Sequence, residues 1–194
     1  MGKGAVTRER ILDEAMRIAS RDGLGGLSAG GLATALGLSK SGLFAHFGSM
    51  EALQVAVLGH TLARFRERMG PVDAAAPGRE KLRAQLQVTL DWVDDPALPG
   101  GCPIVGACFE LDDREGAPRE ALVARQAALQ DWTVKQFRAF AAPGADPEQL
   151  TFEYRAIALA YHHASRVLRD PGARDRVWKA FAALLARAET PSKA

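Results

Sequence analysis

The chain has little of what marks secreted, disulfide-rich or membrane-spanning proteins. Its 194 residues include two cysteines, Cys102 and Cys108, which are too few for a disulfide framework. No segment reaches the roughly 18 consecutive apolar residues that cross a membrane, and the N-terminus lacks the apolar stretch of a secretion signal. We therefore expect a cytoplasmic protein with no membrane partner.

Charge of one sign and catalytic motifs are scarce as well. The net charge is only +2, which by itself indicates no nucleic-acid partner. The front is slightly more basic, with nine Lys and Arg against six Asp and Glu through Gly70, and sixteen against seventeen after it. No nucleophile elbow, phosphate-binding glycine loop or zinc motif is present. We predict no catalytic residue, no metal and no cofactor.

Two clusters of reactive side chains leave alternatives open. Acidic residues crowd 110–115 and could hold a metal, although a helix end scatters such carboxylates and a solvated turn is the favoured interpretation. Cys102 and Cys108 could form a redox switch, although their spacing of six residues exceeds one helical turn. Small, buried side chains are the favoured interpretation of these two cysteines.

Helical periodicity is what the chain has in abundance. Apolar residues recur at spacings of three and four, and no alternation with a period of two is sustained. With the capping residues, prolines and glycines between segments, this predicts an all-α fold of about nine helices. The expected helix starts are Thr7, Ser49, Asp146-Pro147 and Asp170-Pro171, and the expected ends are Asp22, Gly70-Pro71 and about Leu168.

The stretch from Ser28 to Phe47 has the pattern of a helix-turn-helix. Ser28 is expected to cap a short helix, Gly37 to end it in a left-handed conformation, and Ser39 to cap the next helix. Leu43 and Phe47 lie four apart on the expected buried face of that second helix, which leaves small and polar residues outside. Two helices joined in this way place the second in the major groove of DNA.

These residues resemble the DNA-binding segment of the tetracycline-repressor (TetR) family of bacterial regulators. The matching positions are Leu32-Ala33, Gly37-Leu38-Ser39-Lys40, Leu43-Phe44, His46-Phe47, Ser49, Glu51 and Leu53. The resemblance implies a ligand-responsive, DNA-binding transcription regulator, most often a repressor that a small apolar effector releases from its operator. Gly101-Cys102 and the acidic residues at 110–113 are also similar to the effector-domain pattern of one branch of the family.

Three features depart from the family pattern. Phe44 stands where tyrosine is usual, so a hydroxyl for a phosphate is missing, and Met50 stands where lysine is usual. Gly30 and Gly31 lie inside the first of the two helices, where each costs about 1 kcal/mol relative to alanine. We expect that helix to depend on packing for its stability.

The residues expected at the DNA surround the second helix of the motif. Lys40, Ser41, Gly42 and His46 are expected to approach bases or backbone, with Gly42 allowing close approach. The complete set of expected DNA-binding residues is Ser28, Ser39, Lys40, Ser41, Gly42, Phe44 and His46, with Lys3 and Arg8 as further phosphate contacts.

So short a recognition helix reads few base pairs, and we therefore expect a homodimer on a palindromic, double-stranded operator. Helices at about 147–169 and 171–188 are rich in alanine and are the expected dimer face, with packing inside one chain as the alternative. We predict a DNA-binding domain at 1–48, with its helix-turn-helix at 28–47. An effector-binding and dimerisation domain is predicted at 49–190, with a connecting helix at 49–69.

A small-molecule effector is expected among the middle helices. The candidate lining residues are Trp92, Cys108, Phe109, Trp132, Phe137 and His162. Two other functions stay open at this point. One is a helical metabolite-binding protein or enzyme that uses the same pocket without DNA, and the other is a thiol redox-sensing regulator that uses Cys102 and Cys108.

Overall fold

The structure, a computed structural model, describes residues 3–74 and 76–191, apart from the side chains of Lys3 and Asp73. This part of the chain contains nine α-helices and no β-strand. The helices are α1 (Lys3–Asp22), α2 (Ala29–Leu36), α3 (Lys40–Phe47), α4 (Met50–Asp73), α5 (Arg79–Val93), α6 (Pro103–Glu110), α7 (Ala117–Arg138), α8 (Pro147–His162) and α9 (Ala173–Ala188). A 3₁₀ turn (Leu24–Gly26) follows α1, and a π-helical turn (His163–Val167) follows α8. None of the described helices is long and apolar enough to cross a bilayer.

The chain divides into two compact units, each assembled from separate segments. The first unit comprises the chain up to Arg66 together with Asp95–Ala124. The second comprises Glu67–Asp94 and the chain from Arg125 onward. The predicted all-α architecture, with a helix-turn-helix near the front, is confirmed.

The first unit has an aliphatic core that joins α1 to α4 with the segment around α6. Its fully buried members include Ile11, Leu32, Leu43 and Val57, and Ala107 of α6 belongs to the same cluster. Because α2 and α3 have only 8 residues each, too few for a stable isolated helix, their stability comes from this shared core more than from their own propensity. The dependence of α2 on packing, expected from its two glycines, fits this arrangement.

The second unit is built around aromatic rings and an ion-pair network. Tyr154 of α8 packs edge-on against Phe137 of α7 and Phe181 of α9, with ring centroids 6.1 and 5.8 Å apart. Its hydroxyl donates a hydrogen bond to the carbonyl of Leu82, and burial raises the pKa of Tyr154. Nearer the surface, Arg174 of α9 pairs with Asp91 of α5 at 2.8 Å and with Asp94, the residue that caps the end of α5, at 2.7 Å.

Three predicted helix boundaries were wrong, because tertiary packing outweighs local signals. The first helix begins at Lys3 rather than at Thr7. The fourth passes through Pro71 and ends at Asp73, which buries Met69 and Val72. The ninth begins at Ala173 rather than at Pro171, and Gly172 takes the capping position.

The end of the predicted eighth helix also needs correction. Regular α-helix stops at His162, and the five residues that follow form a wider π-helical turn instead of continuing to Leu168. The amide of Leu168 donates to the carbonyl of His163 at 3.2 Å, and Arg169 then has a positive φ of 50°. The predicted dimer helices therefore cover 147–162 and 173–188 as regular α-helix.

Candidate functional site

The helix-turn-helix is fixed by two serine caps and one left-handed glycine. Ser28 Oγ accepts a hydrogen bond from the amide of Gly31 at 3.1 Å, and Ser39 Oγ accepts one from Gly42 at 3.0 Å. Gly37 lies at φ 66° and ψ 32°, a conformation that strains any side chain with a Cβ. The predicted caps and the predicted helix stop are therefore confirmed.

The two helices keep one face in the core and leave the other open. Leu32 and Leu43 are buried, whereas Ser28, Ser39, Lys40, Ser41 and Phe44 are exposed and Gly42 and His46 are half-buried. The structure thus brings seven of the nine predicted DNA residues onto one continuous segment. Their contact with DNA is a matter for the proposal below.

The glycines inside this motif have identifiable neighbours. A Cβ at Gly31 would lie 3.0 Å from Ser28 Oγ, and one at Gly42 would lie 3.1 Å from Ser39 Oγ. Both glycines therefore leave room for the capping oxygen of their own helix. A Cβ at Gly30 would touch Lys40 Cε at 3.4 Å, so this position borders the Lys40 side chain.

Arg8 lies beside the end of α3, far from it in sequence. Its guanidinium carbon stands 5.0 Å from the centroid of the Phe47 ring, within cation–π range, and the side chain is otherwise exposed. The start of α1 therefore presents a positive charge next to the helix-turn-helix. Lys3, the other predicted phosphate contact, has a side chain that lies outside the described residues.

A charged cluster ties α1 to α4 within the same unit. Asp13 Oδ1 lies 2.7 Å from His60 Nε2 and 3.0 Å from Arg64, which also reaches Glu9 at 3.2 Å. Burial acts to raise the pKa of Asp13, but the hydrogen bonds from His60 and Arg64 outweigh it and the pKa is lowered. His60 is therefore engaged in holding two helices together.

The six candidate ligand residues fall in both units. In the second unit Phe137 is fully buried in the aromatic core, and Trp92 is buried beneath the Arg68 guanidinium at 4.8 Å. Trp132 and His162 are half-buried, and His162 Nε2 is a buried nitrogen with no hydrogen-bond partner among the described residues. Cys108, half-buried, and Phe109, 69% exposed, belong to the first unit.

An open cleft of about 540 Å³ lies in the second unit, at the start of α8 and the end of α9. It includes Asp146, Gln149, Glu153 and Arg187, and none of the six candidate residues lines it. Its lining combines these four polar side chains with small and apolar residues, and Arg187 forms an ion pair with Glu153 within it.

The acidic stretch after α6 does not converge on one point. Asp112, Asp113 and Glu115 are exposed, and the residues that the structure describes contain no group of three His, Cys, Asp or Glu suited to a metal ion. The carboxylate of Glu110 instead accepts hydrogen bonds from the backbone amides of Leu24 and Gly25. Sequence reasoning missed this contact, since it joins residues more than 80 positions apart and no local pattern signals it.

Both parts of the chain match models of known families. Residues 11–57 match the family described as "Bacterial regulatory proteins, tetR family". Residues 78–181, more than half of the chain, match the family described as "Tetracyclin repressor-like, C-terminal domain".

Individual proteins agree with these matches. The HTH-type transcriptional regulator RutR of Escherichia coli O157:H7 is 30% identical over 161 residues, covering 79% of this chain and 73% of RutR. A TetR transcriptional regulator from Chloroflexus aurantiacus superposes with a TM-score of 0.83 at 25% identity, over 98% of each chain. AibR, crystallised with isovaleryl coenzyme A and operator DNA, superposes with a TM-score of 0.69 at 23% identity, over 90% of this chain and 98% of AibR.

Proposed function

The chain belongs to the tetR family of bacterial regulatory proteins and is thus a ligand-responsive, DNA-binding transcription regulator rather than an enzyme, and we propose that it represses a palindromic operator. The repressor is released when a small apolar compound binds the effector region. The observation that carries this proposal is the open outer face of α3, where Lys40 and Ser41 are exposed while Leu43 anchors the helix in the core.

In this proposal α3 enters the major groove and α2 crosses the backbone. Ser28 and Ser39, together with amides at the two helix starts, hold phosphates and set the register. Lys40, Ser41, Gly42 and His46 approach base edges or backbone. Arg8, next to Phe47, and Lys3 supply further phosphate contacts.

Relative to the usual family pattern, two positions weaken the contact with the DNA backbone. Phe44 is exposed but has no hydroxyl to donate to a phosphate, and Met50 has no charge. Non-specific affinity depends on the number of phosphates that cations neutralise. We therefore expect this regulator to need both copies of its head, and a well-matched operator, for tight binding.

The homodimer that this requires packs, we propose, through α8 and α9. Phe152, Ala156, Leu159 and His163 follow each other at spacings of three and four and are all exposed, so they form one apolar-rich face. The alanines of α9 are equally open at Ala180, Ala182, Ala183 and Ala186. Their exposure argues against the alternative of packing inside a single chain, and small side chains let helices from two copies approach closely.

The proposed functional division is a DNA-binding part at 1–48 and an effector-binding and dimerisation part at 49–190, with 49–69 connecting them. The matches to the two families end at residue 57 and begin at residue 78, and the helix between them is α4. We place the protein in the cytoplasm, where its DNA lies.

The effector site is proposed among Trp92, Cys108, Phe109, Trp132, Phe137 and His162. AibR, whose fold this chain shares, holds isovaleryl coenzyme A and operator DNA in one crystal. In this chain the effector shifts the balance between the DNA-bound and the released conformation only through its different affinity for the two. The half-buried Trp132 and His162 are the most accessible of the candidates in the second unit.

Footprinting of the DNA upstream of the chain's own coding sequence tests the regulator proposal. The dimer should protect two half-sites about one helical turn apart, and candidate apolar compounds should abolish the protection. Uniform, sequence-independent retention of DNA, or no protection at low salt, contradicts the proposal.

Lys40→Ala tests the orientation of α3 on the protected duplex. We expect operator binding to weaken by about 1–3 kcal/mol, with the slope of log affinity against log salt reduced by about 1. Lys135→Ala, at an exposed lysine on α7, is the matched control and should bind like the unaltered protein. If Lys40→Ala binds the operator as tightly as the unaltered protein, the placement of α3 in the major groove is contradicted.

A further inference from the structure

The last residue of α6 caps a turn that lies more than 80 residues earlier in the chain. Glu110 Oε2 accepts the amide of Leu24 at 2.7 Å, and Oε1 accepts the amide of Gly25 at 2.6 Å. Each carboxylate oxygen thus takes one backbone donor at the start of the 3₁₀ turn. The residue in the capping position of that turn, Gly23, has no side chain with which to do so.

The turn held by Glu110 leads directly into the helix-turn-helix. Leu24 is 1% exposed, and two residues after the turn Ser28 caps the start of α2. The other side of the turn is also fixed, because Gln54 of α4 donates to the carbonyl of Leu24 at 3.2 Å. The direction in which α2 leaves α1 therefore depends on partners from α4 and α6.

The glycines of the turn make room for the carboxylate. A Cβ at Gly23 would lie 2.7 Å from Glu110 Oε2, and one at Gly25 would lie 2.8 Å from Oε1. Gly23 has a φ of 77° and needs glycine for that reason alone, whereas the φ of Gly25 lies outside the left-handed region. The absence of a side chain at Gly25 is therefore explained by the carboxylate beside it.

We propose that Glu110 is a positioning residue for operator binding, which acts through the Leu24–Gly26 turn on the angle of α2 and α3. Glu110 lies in the region that matches the C-terminal family, and the turn lies in the region that matches the N-terminal one. Its two hydrogen bonds thus join the sequence of the effector region to that of the DNA-binding head. The inference rests on the proposed function, since operator affinity is its readout.

Electrostatics and positioning predict opposite results when this carboxylate is removed. Loss of a negative charge from a DNA-binding unit should strengthen its attraction to a polyanion. Loss of a positioning contact should instead weaken specific binding, because two heads must match two half-sites at once. The sign of the change therefore separates the two explanations.

The experiment compares full-length variants on the duplex that the unaltered protein protects, and on an unrelated duplex of equal length. Glu110→Ala, Glu110→Gln and Gly25→Ala should each lower the specific affinity at least ten-fold and leave binding to the unrelated duplex within two-fold. The controls are Glu115→Gln, an exposed acid five residues on, and Gly106→Ala, on α6 with open space around it. Both controls should bind the protected duplex within two-fold of the unaltered protein, or more tightly.

Two further measurements distinguish positioning from a general loss of stability. The double variant Gly25→Ala with Glu110→Ala should bind no more weakly than either single variant, because both act on one contact. Hydrogen exchange should accelerate at the amides of Leu24 and Gly25 in Glu110→Ala and stay unchanged at the core amides of α1 and α4.

The possible outcomes are distinct. Operator affinity in Glu110→Ala that equals or exceeds that of Glu115→Gln overturns the inference and leaves the regulator proposal standing. An equal loss on both duplexes with faster exchange throughout the core also overturns it, because the residue is then merely structural. If the unaltered protein protects no duplex, the proposed function and this inference fall together.

Discussion

His162, the last residue of α8, is half-buried next to the π-helical turn. Burial lowers the pKa of His162, and the nearby charge of Arg166 lowers it further. Its Nε2 atom is buried and has no hydrogen-bond partner among the described residues. A nitrogen of this kind resists protonation in the folded protein, while the same imidazole in the unfolded chain takes up a proton near pH 6.5.

Acidification should therefore cost this protein stability through His162. In the window below about pH 6.5 the unfolded state binds more protons at this site than the folded state, so the free energy of unfolding falls as pH falls. His162→Gln, which is neutral at every pH, should lose less stability than the unaltered protein between pH 7.5 and pH 5.5. Urea denaturation at both values measures the difference, and equal losses in the two proteins would contradict the assignment. The exposed neighbour His163→Gln controls for altering a histidine at this turn.

Residues whose role is local were predictable from sequence, and residues whose role is distant were not. The serine caps of α2 and α3 and the left-handed Gly37 follow from backbone chemistry within a few positions, and all three were found. Whether those serines also touch DNA stays a prediction. Glu110 was grouped with its acidic neighbours, because its partners Leu24 and Gly25 come close only when the chain is folded.

The segment that leads into α6 packs closely against the end of α1. A Cβ at Gly100 would lie 1.7 Å from the carbonyl oxygen of Ser20, so no side chain fits there without moving backbone. The amide of Gly100 donates to Ser20 Oγ at 3.0 Å, and Ser20 Oγ donates to the carbonyl of Gly101 at 2.7 Å. The end of α1 and the segment that leads into α6 are therefore packed backbone to backbone.

Two alanine substitutions near this contact should change stability in opposite directions. Gly100→Ala should lower the free energy of unfolding by about 2–3 kcal/mol, since overpacking forces the backbone apart. Gly106→Ala, inside α6 with nothing within 4 Å of the added Cβ, should raise it by about 0.5–1 kcal/mol. Chemical denaturation of both variants gives the two values. A loss below about 0.5 kcal/mol for Gly100→Ala would mean that this contact is looser than described.

Some helix boundaries follow from the local sequence, whereas others depend on packing between helices. The predicted starts at Ser49 and Asp146 are confirmed, because a capping side-chain oxygen needs only the amides two or three residues further along the chain. The predicted stop at Pro71 was wrong, since continuing α4 to Asp73 buries Met69 and Val72. The π-helical turn had no signal in the sequence, as its hydrogen bonds differ from those of α8 by one residue of spacing.

At the scale of the whole molecule, the proposed operator binding depends on whether two chains form a dimer. Leu159 is 44% exposed on the apolar-rich face of α8, where a second copy is proposed to pack. Replacing it with glutamate would bury a charge in that interface, and a central residue of this kind is worth about 2 kcal/mol or more. Leu159→Glu should therefore raise the dissociation constant of the dimer at least about 30-fold.

Sedimentation velocity across a concentration series measures this change. Val123→Glu, at a side chain 50% exposed on α7, is the matched control and should remain dimeric. If both variants dissociate alike, or if Leu159→Glu stays dimeric at the lowest concentration, the dimer uses another face. A monomeric Leu159→Glu should also lose the two-site footprint, because each head then binds alone.

The first unit unites the chain up to Arg66 with a segment that is made only later, Asp95–Ala124. Ala107, Leu111 and Leu122 complete its buried cluster, so the nascent helix-turn-helix leaves the ribosome before part of its own core exists. During synthesis that early piece waits with its share of the buried cluster incompletely covered. The first unit is therefore completed late in translation. A truncated mRNA whose coding sequence stops before residue 124 yields a product in which the DNA-binding unit is incomplete.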